Sequence, residues 1–424
     1  MTDQLSTALP PTDRASETPA LLKDRARSWL TGTQARAAMA ALLDSDEQTL
    51  ADQIELTRIP APPFGESARA ARMAELMEEY GLKDVRTDAE GNVIGHRAGR
   101  HSSAPAIVLA AHLDTVFPGG TDLTVVREGD MIRAPGICDD GRGLTALLAI
   151  ARTMEEVGIT TDRPLLFVAT VGEEGLGDLR GVRHLFGADG AAAEACGFIS
   201  LDGAGDSRVV SHGLGAVRLR IRVQGPGGHS WVDWGLGNPI HLISDIVSAA
   251  GALPLPEGVT LSTGRISGGK SVNAIPEEAW AELEVRGRQA PALEQLCTSL
   301  SRIIATLTER ANAARLSGPP LVVEVETIGD RPAGRTPDGD PLVLAAMAVT
   351  QAMGRKAEQA VSSTDANLPM SLGIPAITLG AGGEAGQAHT VDEWYRNTKG
   401  PDGIARALAV LVLYDQLKAD PSSV

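Results

Sequence analysis

The sequence predicts an α/β fold in which a mainly parallel sheet is flanked by helices and a second α+β unit is inserted. Three short apolar runs, at 106–111, 164–171 and 197–201, are typical of buried strands. A helical pattern at 143–158 separates the first two runs. Alternation of buried strands with helices indicates a parallel sheet that is covered on both faces.

Helical patterns precede the sheet and return near the C-terminus. Residues 21–58 and 67–81 carry apolar side chains at helical spacing. A predicted helix at 341–353 and a predicted buried strand at 375–380 again show the alternation of helices and apolar strands found in the first half of the chain. We therefore expect a disordered tail at 1–20, a main domain formed by 21–213 and 330–424, and an inserted domain at 214–329.

The pattern changes at about residue 214. There Val217, Leu219, Ile221 and Val223 alternate with arginines, which predicts a strand with one solvated face. Further along the chain the patterns predict a helix starting at Asn238 and Pro239, a strand at 280–288 and a helix at 291–315. These elements predict an open antiparallel sheet backed by helices.

Composition excludes several functional classes. The 424 residues are 43% hydrophobic and carry a formal net charge of −16. This charge argues against binding nucleic acid or anionic membrane surfaces, and no apolar run is long enough to span a bilayer. Three scattered cysteines and a polar, proline-rich opening without a secretory pattern favour the cytoplasm.

Acidic and imidazole side chains follow the predicted strands at the points where those strands end. In an open α/β sheet, ligands collect beyond the carboxyl ends of the strands. Each such residue alone is more often a solvated side chain or a turn cap, but here they converge on one edge of the sheet. They are His112 and Asp114 after the first run, Glu173 and Glu174 after the second, Asp202 after the third, His389 after 375–380, and Asp139 and Asp140 before the helix at 143–158.

So many carboxylates in one place require counter-charge, because like charges a few ångströms apart would force some of them to stay protonated. Divalent cations would supply it. Imidazole and carboxylate ligands without sulfur favour zinc or a neighbouring first-row ion. The sequence therefore predicts a two-metal centre. A purely structural zinc site is disfavoured, because such sites are usually closed by Cys or His ligands.

Seven strings in the chain, in order, resemble those of the M20 metallopeptidases. They are AAHLDTV, PGICDDGRG, VGEEGLGDLRG, LDG, GPGGHS, SVNAIP and STDAN with AHT, and the resemblance covers the chain from about residue 55 to the C-terminus. The resemblance implies a zinc-peptidase fold with an inserted lid and dimerisation domain. It also implies two Zn²⁺ per chain, with Co²⁺ or Mn²⁺ as alternative ions, and a homodimer.

The resemblance assigns a role to each residue of the cluster. His112 and Asp202 would hold one zinc, Glu174 and His389 the other, and Asp139 would bridge both. Glu173 would be the general base toward a metal-bridging water. Asp114 would orient His112 through the other ring nitrogen, the usual arrangement behind a metal-bound imidazole.

Three residues of the inserted domain also match family positions. His229 would reach the active site of the partner subunit and stabilise the oxyanion, while Asn273 and Arg286 would contact substrate. The alternatives are a surface histidine and a solvent-facing arginine on a strand. Trp231 and Trp234 follow His229 and could line an apolar pocket or pack in the dimer.

The resemblance implies hydrolysis of an amide bond in a small peptide. Gly203 after Asp202, and STDAN, look more like the tripeptide-aminopeptidase branch. A carboxypeptidase or an N-acyl amino acid amidohydrolase of the same family is the alternative. A catalytically silent metal-binding protein is a third hypothesis, which would be marked by a lost ligand or a lost Glu173.

Overall fold

A computed structural model describes residues 19–418. The predicted tail at 1–20 lies outside these residues except for its last two positions, which begin the first helix. Within the described range, no helix is both long enough and apolar enough to cross a membrane.

The helices are α1 Pro19–Thr31, α2 Thr33–Asp44, α3 Asp46–Thr57, α4 Ser67–Glu79, α5 Gly141–Val157, α6 Arg180–Leu185, α7 Pro239–Gly251, α8 Ala290–Ala314, α9 Pro341–Ala352, α10 Asn367–Ser371 and α11 Gly400–Lys418. The predicted helices are all present, and three further helices were not predicted: the short α6 and α10, and α11, which is 19 residues long.

The strands are more numerous than the sequence patterns predict, because many are only two to five residues long. They are β1 Lys83–Thr87, β2 Val93–Arg97, β3 Ile107–His112, β4 Val126–Glu128, β5 Met131–Arg133, β6 Leu165–Thr170, β7 Gly197–Leu201, β8 Arg208–Gly213, β9 Gly215–Gln224, β10 Gly228–His229, β11 Val259–Gly268, β12 Ala274–Ile275, β13 Glu278–Gly287, β14 Val322–Arg331, β15 Gly334–Arg335, β16 Glu358–Ser362, β17 Ala376–Leu379, β18 Glu384–Gly386 and β19 Trp394–Arg396.

The main sheet has the strand order β1-β2-β6-β3-β7-β17-β8-β15, with β16 also paired to β8. Its centre, β6-β3-β7-β17, is parallel, whereas β1, β2 and β15 join in antiparallel fashion. Strand β3 is buried on both faces: Ile107 and Leu109 belong to one apolar core, and Val108 to another on the opposite face. The predicted α/β class with a mainly parallel, doubly covered sheet is confirmed.

A second sheet, β11-β13-β9-β14, is entirely antiparallel. Its apolar face, which includes Ile221 and Val223, packs against α7 and α8. On the other face, Arg218 and Arg220 pair with glutamates directly opposite on β13. The strand β9 therefore has the buried and solvated faces that its alternating sequence predicts.

Candidate functional site

Four neighbouring strand ends carry the acidic and imidazole residues. His112 is the last residue of β3, Glu173 and Glu174 come shortly after β6, and Asp202 follows β7 directly. His389 lies beyond β17, in the loop after β18. Because β6, β3, β7 and β17 are adjacent and parallel, their carboxyl ends meet at one edge of the sheet.

Asp139 enters the cluster from the loop before α5. Its peptide bond to Asp140 is cis. Asp140 is the N-cap of α5, where its side chain accepts a hydrogen bond from the Gly143 N–H. This cap fixes the start of the helix, and Asp139 is the residue directly before the cap.

Asp139 lies between two imidazoles. Its Oδ1 is 3.0 Å from His112 Nε2, and its Oδ2 is 3.0 Å from His389 Nε2. The same nitrogen of His389 is 3.0 Å from Glu174 Oε1. One carboxylate thus presents a separate oxygen to each histidine, which is the arrangement that a carboxylate shared by two cations requires.

Two groups of ligand atoms lie close enough together to hold a metal ion. The first contains His112, Asp139 and Glu174, and the second contains His112, Asp140 and Asp202. The atoms within each group are all within 4.8 Å of one another. His389 belongs to neither group, but its Nε2 is 3.0 Å from both Asp139 and Glu174, so the five predicted ligands, His112, Asp139, Glu174, Asp202 and His389, lie in one cluster.

The cluster is electrostatically crowded. Burial and the nearby charge of Asp139 raise the pKa of Asp202 to about 7. Although burial opposes it, hydrogen bonds from His112 and His389 lower the pKa of Asp139. Hydrogen bonds to Asp139 and Glu174 raise the pKa of His389 to about 10. These shifts are expected where carboxylates converge and need positive charge.

The donor set fits divalent metal. Imidazole nitrogens and carboxylate oxygens, without thiolate, suit zinc and its first-row neighbours. The nearby thiol of Cys138 is buried in a small apolar cluster with Ile132, Ile137 and Tyr395. The residues present could therefore hold the pair of ions that the sequence predicts.

Asp114 lies beside His112 but contacts it in a way that differs from the expectation. The main-chain oxygen of Asp114 is 3.0 Å from His112 Nδ1, whereas its carboxylate Oδ1 is 3.8 Å away. The carboxylate instead accepts hydrogen bonds from the N–H groups of Glu173 and Glu174, at 2.9 and 2.8 Å. The reason is that β3 ends at His112, so strand alternation no longer governs where Asp114 points.

Two further buried carboxylates bind the main chain of ligand-bearing loops. Asp140 accepts hydrogen bonds from the N–H groups of His112 and Gly203, at 3.0 and 3.3 Å. Glu393 accepts three, from Gly136, Cys138 and Asp139. With Asp114, these side chains connect the segments that carry the candidate ligands to one another.

Glu173 is held by an arginine from the end of β14. Arg331 Nη1 donates to Glu173 Oε1 at 2.9 Å, and Arg331 Nη2 donates to the main-chain oxygen of Glu173. Burial raises the pKa of Glu173, and the charge of Arg331 opposes this rise. In the described part of the chain no group hydrogen-bonds Glu173 Oε2, so this oxygen is available to exchange a proton.

His229 and Asn273 lie together, apart from the cluster. His229 pairs with Ala274 across β10 and β12, and Ser230 N–H donates to the Asn273 main-chain oxygen at 3.1 Å. His229 Nδ1 accepts from the N–H groups of Trp231 and Val232. A neutral ring then carries its proton on Nε2, so this nitrogen can donate a hydrogen bond. Among residues 19–418, His229 makes no hydrogen bond or ion pair with the cluster.

Arg286 is engaged elsewhere on the second sheet. Its Nε and Nη2 contact the two carboxylate oxygens of Glu284, at 2.8 and 3.0 Å. Glu284 also binds Arg218, which reaches the Gly175 main-chain oxygen beside the cluster. Arg286 is thus connected to the edge of the site through Glu284 and Arg218, but it does not itself contact the cluster.

Three residues of the site carry no role in the sequence prediction. Arg331 and Glu393 are described above. Asp365 is buried, its Oδ2 lies 2.5 Å from Thr170 Oγ1, and its Oδ1 has no hydrogen-bond partner in the described residues. The string STDAN contains Asp365 and could have drawn attention to it, whereas Arg331 and Glu393 belong to none of the strings or predicted strand ends on which the site prediction rests.

The chain is similar to known proteins in sequence and in fold. A family model described as peptidase family M20/M25/M40 matches residues 108–414. A putative succinyl-diaminopimelate desuccinylase of Mycobacterium tuberculosis is 29% identical, covering 81% of this chain and 93% of the relative.

Solved structures share the fold. A tripeptidase of Staphylococcus aureus superposes with a TM-score of 0.71 at 21% identity, covering 87% of this chain and 98% of that one. A dinuclear metal binding peptidase from Bacillus subtilis gives 0.61 at 18% identity, covering 89% and 99%. The chain therefore belongs to peptidase family M20/M25/M40 and is a metal-dependent peptidase or amidohydrolase.

Proposed function

We propose that the chain is a dinuclear zinc hydrolase that cleaves an amide bond in small peptides, in the manner of a di- or tripeptide aminopeptidase. The observation that carries this proposal is the position of Asp139, whose two oxygens each lie 3.0 Å from a different imidazole. His112 and Asp202 would hold one ion, Glu174 and His389 the other, and Asp139 both. When bound, the ions would polarise the scissile carbonyl and acidify water.

Glu173 is the general base in this proposal. Its Oε1 is fixed by Arg331, and its Oε2 is available to take a proton from the attacking water. The same oxygen can later return that proton to the leaving amine. The third hypothesis, a catalytically silent binding protein, would have no need for this buried and oriented carboxylate.

His229 would act in the active site of a second copy. Its ring is exposed, and its Nε2 is free to donate to an oxyanion, a contribution of about 3–4 kcal/mol for a well-placed donor. Trp231 and Trp234 beside it are 84% and 77% exposed, as expected of side chains that a partner covers. We therefore propose a homodimer formed through the inserted domain, with bounds 214–329.

Asn273 would move with His229, because Ala274, the residue after Asn273, pairs with His229 between β12 and β10. Arg286 would contact a substrate carboxylate only after releasing Glu284. Co²⁺ or Mn²⁺ could replace zinc with the same ligands.

Mixing two inactive variants tests the action of His229 across subunits. When equal amounts of the H229A and E173Q proteins are mixed and their subunits exchange at random, half of the resulting dimers are heterodimers. Each heterodimer has one site with an intact Glu173 and a partner's His229, so about a quarter of wild-type activity should return. No recovery, with heterodimers demonstrated by mass spectrometry, would show that His229 does not act across the dimer.

The substrate is tested by a screen of the metal-loaded enzyme. Di- and tripeptides with free and blocked amino termini are compared with N-acyl amino acids, and the released fragment identifies the bond that is cut. We expect release of the N-terminal residue from unblocked peptides. Preference for N-acyl amino acids would instead support the alternative, which the similarity to a putative desuccinylase favours. Release of a C-terminal residue would indicate a carboxypeptidase.

We further propose a cytoplasmic location. Cys138, Cys196 and Cys297 are all free thiols, as expected in a reducing compartment.

A further inference from the structure

Glu393 joins two loops that carry candidate metal ligands. It follows His389 by four positions and is completely buried. Its Oε1 accepts hydrogen bonds from the N–H groups of Cys138 and Asp139, at 2.8 and 2.9 Å, and its Oε2 accepts one from Gly136 at 3.1 Å. A single carboxylate therefore ties the His389 loop to the main chain of Asp139.

These contacts bear directly on the geometry of the cluster. Asp139 presents one oxygen to His112 and the other to His389, so a rotation of its main chain would displace both contacts. Metal sites accept deviations of only about 0.2 Å in ligand distances. The contacts of Gly136 and Cys138 with Glu393 are buried and that of Asp139 is partly buried, so losing the carboxylate would leave these N–H groups unpaired unless the loop moves.

We propose that Glu393 is a positioning residue for the metal site: it presets the Asp139 and His389 loops so that their side chains meet both ions. The proposal depends on the two-metal site put forward above. Glu393 touches neither substrate nor reacting atoms in this role. Its effect passes through the main chain of Asp139.

The test compares zinc binding in Glu393 variants with that in a matched control. In E393Q one oxygen can still accept from Cys138 and Asp139, but the amide NH₂ would face the Gly136 N–H. In E393A all three contacts are lost. Asp415 provides the control, because it is also a buried carboxylate that accepts two main-chain N–H groups, from Asp162 and Arg163, and it lies on α11 away from the cluster.

Zinc affinity is measured by competition with a chromophoric chelator, alongside the free energy of unfolding of each metal-free variant. We expect E393Q to bind zinc about 10–100-fold more weakly than wild type, as is usual for groups behind metal ligands, and E393A more weakly still. D415N should lose stability while keeping zinc affinity within about threefold. If E393A does not fold, E393Q decides.

A second readout is the visible absorption of the Co²⁺-substituted protein, which reports ligand geometry. It should change in E393Q and stay the same in D415N. Wild-type zinc affinity and an unchanged Co²⁺ spectrum in folded E393Q would overturn the proposal, as would equal weakening in D415N. If wild type itself binds no zinc, the proposed function fails instead, so the two failures are distinguishable.

Discussion

Replacing Glu173 by Gln separates proton transfer from metal binding. Glutamine has nearly the shape of glutamate, and its amide oxygen can still accept the hydrogen bond that Arg331 Nη1 makes at 2.9 Å. The second contact of Arg331 is to the main-chain oxygen of residue 173, which the substitution leaves in place. We therefore expect E173Q to fold and to retain both metal ions.

The size of the catalytic loss follows from the role assigned to Glu173. A positioned general base contributes about 10²–10⁴-fold to the rate. This corresponds to about 3–5 kcal/mol of activation free energy. The loss of stability should be smaller, about 1 kcal/mol, because the contact with Arg331 becomes a hydrogen bond between a charged and a neutral group.

The assay measures kcat/KM on the best peptide of the substrate screen, together with the metal content per chain. Glu66→Gln is the matched control, because Glu66 is also buried and pairs with an arginine, Arg180, at 2.7 Å, outside the cluster. The control should keep nearly full activity. An E173Q enzyme that keeps more than about a tenth of wild-type kcat/KM would show that Glu173 is not the general base. Loss of a metal ion from E173Q would make Glu173 a ligand.

Two further predictions concern charge in the metal-free chain. R331A leaves the Glu173 carboxylate buried without its partner. The free energy of unfolding, measured by guanidinium denaturation, should therefore fall by about 3–5 kcal/mol. A fall of less than about 1 kcal/mol would contradict the buried pairing. His389, with a pKa raised to about 10, carries a proton at pH 7.5 that zinc must displace. Zinc affinity should therefore rise about tenfold per pH unit for each proton released, up to about pH 10. If the calorimetric heat of zinc binding is the same in buffers of different ionisation enthalpy, no proton is released and the prediction is wrong.

The parts of the site that the sequence predicts are those set by the ends of regular strands. His112, Glu173, Glu174 and Asp202 follow buried apolar runs, and these runs became the adjacent parallel strands β3, β6 and β7. Topology alone brings such residues together, so their convergence is predictable without side-chain detail. His389 is predicted in the same way, from its place after the apolar run at 375–380, although the short strand β18 lies between β17 and its loop.

The supporting contacts could not be predicted in the same way. Glu393 and Asp114 bind main-chain N–H groups, which almost every residue has, so the partner segment shows no pattern in its sequence. Arg331 binds Glu173 across 158 positions of chain and from a different sheet. Short strands such as β4, β5, β18 and β19 are three residues each, too short for alternation to be recognised.

The two-metal site is tested most directly by measuring the number of zinc ions bound per chain. The metal-free wild-type protein and the Asp139→Asn variant are dialysed to equilibrium against zinc side by side. Asparagine offers one oxygen where Asp139 presents two, each 3.0 Å from a different histidine. We expect two zinc ions per wild-type chain and fewer than one in the variant. A wild-type chain that saturates with one ion or none, or a variant that still binds two, would contradict the shared carboxylate.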